Sequence, residues 1–178
     1  MIAFEPAVTS IDLSIDYEMK RDLYAVLEGG WSSISFSDTN YAYDGTGIFF
    51  RGGIDHNMME LERHNDYTMG FVGFRYGFSS YKQQADHIIL TDPYWGNYTT
   101  YIPEESGQAH WLEITAGIRA ELWKNLFIGW SARARFMIHK TDHPSMIPYY
   151  IPGFGNPARR VITDINYSLY YRIPLMKK

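Results

Sequence analysis

The sequence contains no cysteine, which excludes a disulfide framework, a thiolate metal site and a catalytic thiol. Nowhere does it run to the ~18–20 consecutive apolar residues that a membrane-spanning helix needs, so a helical membrane protein is excluded as well. Positive charge is scarce. Sixteen Lys+Arg stand against 20 Asp+Glu for a net charge of -4, and the pI of 5.8 leaves no basic surface for nucleic acid. Met1–Pro6 has no basic start followed by an apolar run of about 7–15 residues, so any secretory leader is expected to lie upstream or to have been removed. No repeat of solenoid length, low-complexity segment or linker divides the chain, and residues 1–178 read as one domain. What is abundant is aromatic: 15 Tyr, 10 Phe and 5 Trp, scattered among charged residues rather than gathered into apolar runs.

The scatter has a period of two. In Ile11-Asp12-Leu13-Ser14-Ile15-Asp16-Tyr17-Glu18 every second residue is apolar, the mark of a strand with opposed faces. Leu112 to Leu122, Leu126 to Ile138 and Ile165 to Ile173 repeat it, with weaker versions through Leu23–Phe36, Gly47–Met58 and Tyr67–Lys82. Seven strands result, each longer than the ~5–6 residues typical of soluble sheets.

The polar face indicates the surroundings. Arg51, Arg75, Arg119, Arg133, Arg135 and Arg172 fall on it mid-strand, with Asp12, Asp16, Glu28, Asp55, Glu113, Glu121 and Asp164, whereas every Lys sits at a turn, a strand end or a terminus. Guanidinium groups opposite carboxylates suit an enclosed, partly dehydrated space, because one planar fork satisfies several acceptors. The other face, almost free of charge, then meets hydrocarbon. Apolar outside and polar inside with period two is the transmembrane β-barrel pattern. Short connections at Met19–Asp22, Met59–Asp66 and Lys124–Asn125 alternate with long ones at Ser37–Thr46, Gln83–Gln108 and Thr141–Arg160, as in bacterial outer-membrane barrels. Tyr17, Trp123 and Tyr171 near the short-turn end, and Trp31 about one crossing from Leu23, suit interfacial girdles.

An odd strand number conflicts with that orientation. Bacterial single-chain barrels carry even numbers with both termini in the periplasm, so the expected fold is all-β: an up-and-down antiparallel transmembrane barrel of eight strands, seven evident here and the first expected upstream of Met1, the alternatives being that Met1–Pro6 folds back or that another chain closes the seam.

The runs Glu28-Gly29-Gly30-Trp31, Gly73-Phe74-Arg75-Tyr76-Gly77, Pro93-Tyr94-Trp95-Gly96, Pro148-Tyr149-Tyr150-Ile151-Pro152-Gly153-Phe154-Gly155 and Asn166-Tyr167-Ser168-Leu169-Tyr170-Tyr171-Arg172-Ile173-Pro174 resemble an uncharacterised family of small outer-membrane barrels from Bacteroidota. The resemblance covers nearly the whole chain. It implies an outer-membrane protein of unknown role, with a strand ahead of the present first residue and no assigned catalytic residues.

Among candidate sites, the inward Arg and acid set reads as a packed salt-bridge plug, since about eight strands enclose a bore that side chains fill. The outer loops are the candidate contact surface, through Tyr94, Trp95, Tyr98, Tyr101, Tyr149, Tyr150 and Phe154, because aromatics bind at low entropic cost. His139, His143 and Ser145 stand near the outer rim, where a lipid-modifying enzyme would keep its residues, and Asp142 beside the two histidines is a weak metal set. No cofactor or metal is expected. The expected partners are outer-membrane lipid and other outer-membrane proteins or lipoproteins, with no nucleic acid, in the bacterial outer membrane.

Overall fold

A computed structural model describes residues 7–37, 42–59, 68–92, 96–143 and 146–173. They form seven strands: β1 (Ala7–Lys20), β2 (Leu23–Ser37), β3 (Ala42–Asn57), β4 (Met69–Asp92), β5 (Gly96–Trp123), β6 (Leu126–Lys140) and β7 (Val161–Tyr171). These make a single sheet in sequence order, every neighbouring pair antiparallel. No helix among the described residues is long and apolar enough to cross a membrane, which says nothing about strands.

The period of two places the side chains. Val26, Glu28, Ser32 and Ile34 of β2 are buried while Leu27 and Trp31 between them are exposed; in β6 Phe127, Ser131, Arg133 and Arg135 are buried between exposed Ile128, Trp130 and Phe136. The sheet is rolled around that buried face. Glu28 on β2 lies four strands from Arg133 on β6, roughly 19 Å away on a flat sheet at about 4.8 Å per strand, yet the Arg133 Nη1 to Glu28 Oε2 distance is 3.0 Å. Among the described residues β1 and β7 are not paired with each other.

Two of the expected long connections are largely strand. Residues 42–46, which read as part of a loop, pair along both β2 and β4. Their glycine, Gly45, is an inward position opposite a bulky neighbour, where a Cβ would fall 3.0 Å from Ile34, and at Gly47, already within the alternation, a Cβ would fall 2.7 Å from the Cα of Tyr81. Gln83–Asp92 and Gly96–Gln108 form a long hairpin arm of β4 and β5 rather than a loop, with register shifts between Gln83 and Ala85 and between Ala85 and Ile88. Such irregularities bend a strand, and here they fall beside Asp86, the last β4 residue paired to β3. Among the described residues of the expected long loops, those between Thr141 and Arg160 alone lie outside the strands. The tight turns at Arg21-Asp22 and Lys124-Asn125 place Asp22 (φ 64°) and Asn125 (φ 68°) in the left-handed region, which these two residue types tolerate best after glycine.

Small inward residues set the depth of the interior. A Cβ at Gly77 would lie 2.1 Å from the fully buried Trp111 ring, whereas one at outward-facing Gly52 would meet nothing nearer than Leu27 at 3.9 Å. Gly77→Ala is therefore expected to destabilise by about 1–3 kcal/mol through overpacking, and Gly52→Ala to be close to neutral. Denaturant midpoints of the two variants test this, and equal midpoints would show that the Trp111 pocket is not tightly filled.

Candidate functional site

The interior is stacked in tiers along the strand direction, each built from alternate residues of several strands. Nearest the short-turn end, Arg119 of β5 reaches across to β1, its Nη1 lying 2.5 Å from Asp16 Oδ2, while its guanidinium lies over the Tyr170 ring of β7, 3.9 Å from the centroid. One cation thus touches three strands.

The middle tier is an ion network. Glu28 accepts from three guanidinium groups: Arg51 at 2.8 Å, Arg133 at 3.0 and 3.2 Å, and Arg75. Arg75 turns its Nη2 to Asp55 at 2.9 Å. Fully buried Glu113 lies 3.3 Å from Arg135, 3.5 Å from Arg133, 3.9 Å from Arg75 and 4.0 Å from Arg51. Arg135 also donates to Asp164 Oδ2 at 2.8 Å, and Arg51 lies 3.6 Å from Asp12. Isolated charges would not survive there, since each loses several kcal/mol of hydration on burial, and only multiple charge-assisted hydrogen bonds offset that loss.

Above the network the tier becomes aromatic. Phe49, Tyr81, Ala109, Trp111, Ile151 and Phe154 form one buried cluster, with Met137 and Ile162 packed against it. Two of them, Ile151 and Phe154, come from the connection between β6 and β7, which turns into the mouth of the roll. Its tip is closed by backbone bonds between Ile151 and Gly155 and needs Gly153 at φ 74°, where a Cβ would also strike Phe49 at 2.5 Å. The plug is anchored from the wall by Arg135 donating to the Phe154 carbonyl at 2.8 Å, Gln83 to that of Met146 at 2.9 Å, and the Tyr149 amide to the Tyr43 hydroxyl at 3.3 Å. Burial pushes the Tyr150 phenol up from its ordinary range.

Of the thirteen charged residues singled out from sequence, eleven meet in these two charged tiers. Glu121 and Arg172 share the inward alternation but stand exposed toward the short-turn end. The aromatic candidates separate. Tyr98, Tyr101 and Tyr149 are exposed, Phe154 is fully buried in the plug, and Tyr150 is half-buried beside it; Tyr94 and Trp95 lie outside the described residues. At the rim, His143 is held between Glu105 at 3.2 Å and the Tyr81 hydroxyl at 3.2 Å. His139 instead neighbours His110, whose Nδ1 is 2.6 Å from the Tyr76 hydroxyl. Ser145 lies outside the described residues. Among the described residues no group of three or more His, Cys, Asp or Glu is arranged to hold a metal ion.

The aromatic tier escaped the sequence reading of the interior. Its signal was present: Phe49, Tyr81 and Trp111 fall in phase with Arg51, Arg75 and Glu113, so large rings occupy inward positions at one end. Chemically, the arrangement fills and neutralises the bore.

A family model described as a domain of unknown function (DUF6048) matches residues 1–178. No curated protein and no solved structure matches the chain.

Proposed function

The chain belongs to the domain-of-unknown-function family DUF6048, and from that premise we propose that it is a non-enzymatic β-barrel protein of the bacterial outer membrane, an accessory or structural element of a larger assembly. The observation that carries this reading is an inverted distribution of polarity. Glu28, Arg51, Asp55, Arg75, Glu113, Arg133 and Arg135 are buried, while Ile11, Leu13, Ile15, Leu27, Phe50, Phe74, Ile114, Ile118, Ile165 and Leu169 are exposed. Soluble monomers rarely expose apolar patches larger than a few hundred Å², and an apolar wall around a polar interior is stable where hydrocarbon takes the place of water. Exposed Tyr17, Trp123 and Tyr171 gather toward the short-turn end, with Trp31 and Tyr76 further along the wall, consistent with aromatic residues at both membrane interfaces.

In this reading the barrel has eight strands, one of them preceding β1, and its outer end carries the hairpin arm of β4 and β5. Exposed Tyr98 and Tyr101 on that arm, with Tyr149 on the plug, are the contact residues left for a partner. A conduction role is disfavoured by the ion network and the plug, which occupy successive tiers of the bore.

The test is fractionation and mild-detergent extraction from native membranes, followed by cross-linking. Recovery in the outer-membrane fraction, together with a partner cross-linked through a photoreactive residue at Tyr98 or Tyr101, is the expected result. A chain that stays monodisperse in buffer without detergent would overturn the membrane reading, and a lone monomer in the membrane would overturn the accessory role.

A further inference from the structure

The outward wall carries a pair of histidines that neither the ion network nor the plug uses. His110 of β5 and His139 of β6 are direct cross-strand partners, and their rings stand 6.3 Å apart, centroid to centroid, with 35° between the planes. Simple alternation would send His139 into the bore, since Arg133, Arg135 and Met137 take the inner side of β6. A register shift prevents it: Trp111 pairs with Met137 and His110 with His139, leaving Ile138 as an extra residue on β6. Such a bulge re-aims the side chain beyond it. Ile138 and His139 are therefore both exposed, and His139 comes to the side of the sheet that His110 takes between fully buried Ala109 and Trp111.

The groups around the pair suit a metal ion. Tyr76 Oη lies 2.6 Å from His110 Nδ1. With the Nδ1 proton donated to Tyr76, the Nε2 lone pair is left free, which is how an outer partner fixes the tautomer of a ligating imidazole. Phe78, the β4 residue paired to His110, stands with its ring 5.0 Å from the imidazole and covers it on the side away from His139. Lys140, next to the pair in sequence, has its ammonium on the Pro157 carbonyl at 3.0 Å. Reach is sufficient. A nitrogen about 2.0–2.1 Å from an ion puts its ring centroid roughly 3.2 Å away, so two imidazoles sharing one ion lie no more than about 6.4 Å apart. The observed 6.3 Å is inside that limit, and rotation of exposed His139 about its own torsions shortens it.

We infer that His110 and His139 form a surface site for a divalent transition-metal ion of the Cu²⁺ or Zn²⁺ class, with Tyr76 as a positioning residue and water in the remaining coordination positions. Imidazole suits these ions, whereas Mg²⁺ and Ca²⁺ take oxygen ligands. Two protein ligands fall short of the four of a closed structural site, so the bound ion exchanges with solution. Protons compete with the metal for both nitrogens, and affinity falls as imidazole becomes protonated in acid.

Calorimetric titration of the whole chain, folded in detergent micelles at neutral pH, with Cu²⁺ and with Zn²⁺ tests the inference, and electron spin-echo spectroscopy of the Cu²⁺ form reads the ligands. His110→Ala and His139→Ala are each expected to weaken binding at least about tenfold, while His56→Ala, exposed on β3 near the short-turn end, leaves it unchanged. In the unaltered chain the spin-echo modulation should come from two imidazoles. Tyr76→Phe should weaken binding by a smaller factor and shift the quadrupole frequencies of the remote His110 nitrogen, which report its hydrogen bond. Modulation from a single imidazole, or affinities of the His110→Ala and His139→Ala chains equal to that of the unaltered chain, would overturn the site. Unshifted frequencies in Tyr76→Phe would overturn the positioning role and leave the histidine pair.

Discussion

Replacing Glu28 by glutamine is expected to lower the unfolding free energy by about 3–5 kcal/mol, the range found when one partner of a buried ion pair is removed. Glutamine keeps the shape and one acceptor oxygen but leaves Arg51, Arg75 and Arg133, all buried, with less negative charge than they were packed against. Nearby compensation is limited. Glu113 already stands within 4.0 Å of the same three guanidinium groups and of Arg135, and Asp55 is engaged by Arg75. Arg133→Met alone is expected to cost a similar amount, because it strips Glu28 of two hydrogen bonds. The pair Glu28→Gln with Arg133→Met removes one charge of each sign, so its loss should fall well short of the sum of the single losses. A double-mutant cycle on denaturant unfolding measures the difference. Additive losses would show that these charges are solvated well enough to act independently, and that they do not form a dehydrated network.

Ile114→Arg is expected to cost about 2–4 kcal/mol in lipid, whereas Trp123→Arg should cost no more than about 1 kcal/mol. Both positions are exposed, and in water an added charge at either would change stability by roughly 0.5 kcal/mol or less. Ile114 stands part-way along the wall, paired to Phe74 on one side and Ala134 on the other. Trp123 ends β5 beside the Lys124-Asn125 turn. Depth dependence is thus the signature of a hydrocarbon slab, and unfolding measured in lipid vesicles reads it. Equal small effects at both positions would mean that the outward face is covered by water or protein.

The strands were legible in the sequence because alternation of apolar and polar residues survives at each place where the sheet separates two environments. Ile11 to Glu18 and Leu126 to Ile138 needed nothing more. Residues 42–46 failed for a definite reason. Gly45 looks like turn punctuation, but it is small because Ile34 of the neighbouring strand lies across it, 3.0 Å from where a Cβ would stand, and a contact between strands leaves no mark on the local pattern. The hairpin arm of β4 and β5 failed differently, since among the described residues β4 pairs with β3 no further than Asp86 and the arm's Tyr and Thr residues carry little of the contrast that marks a wall.

Composition and period alone determined that the chain is all-β, that its strands have opposed faces, and which arginines and carboxylates share the polar one. Residue spacing along one strand decides which face a side chain takes, so this much is local. Which charges meet is not local. That Glu28 gathers Arg51, Arg75 and Arg133, that Phe154 fills the mouth rather than reaching outward, and that Asp12 and Asp164 both reach the ion network depends on how far the sheet rolls. Roll is set by the packing of residues up to about a hundred positions apart, and only the tertiary structure brings those together.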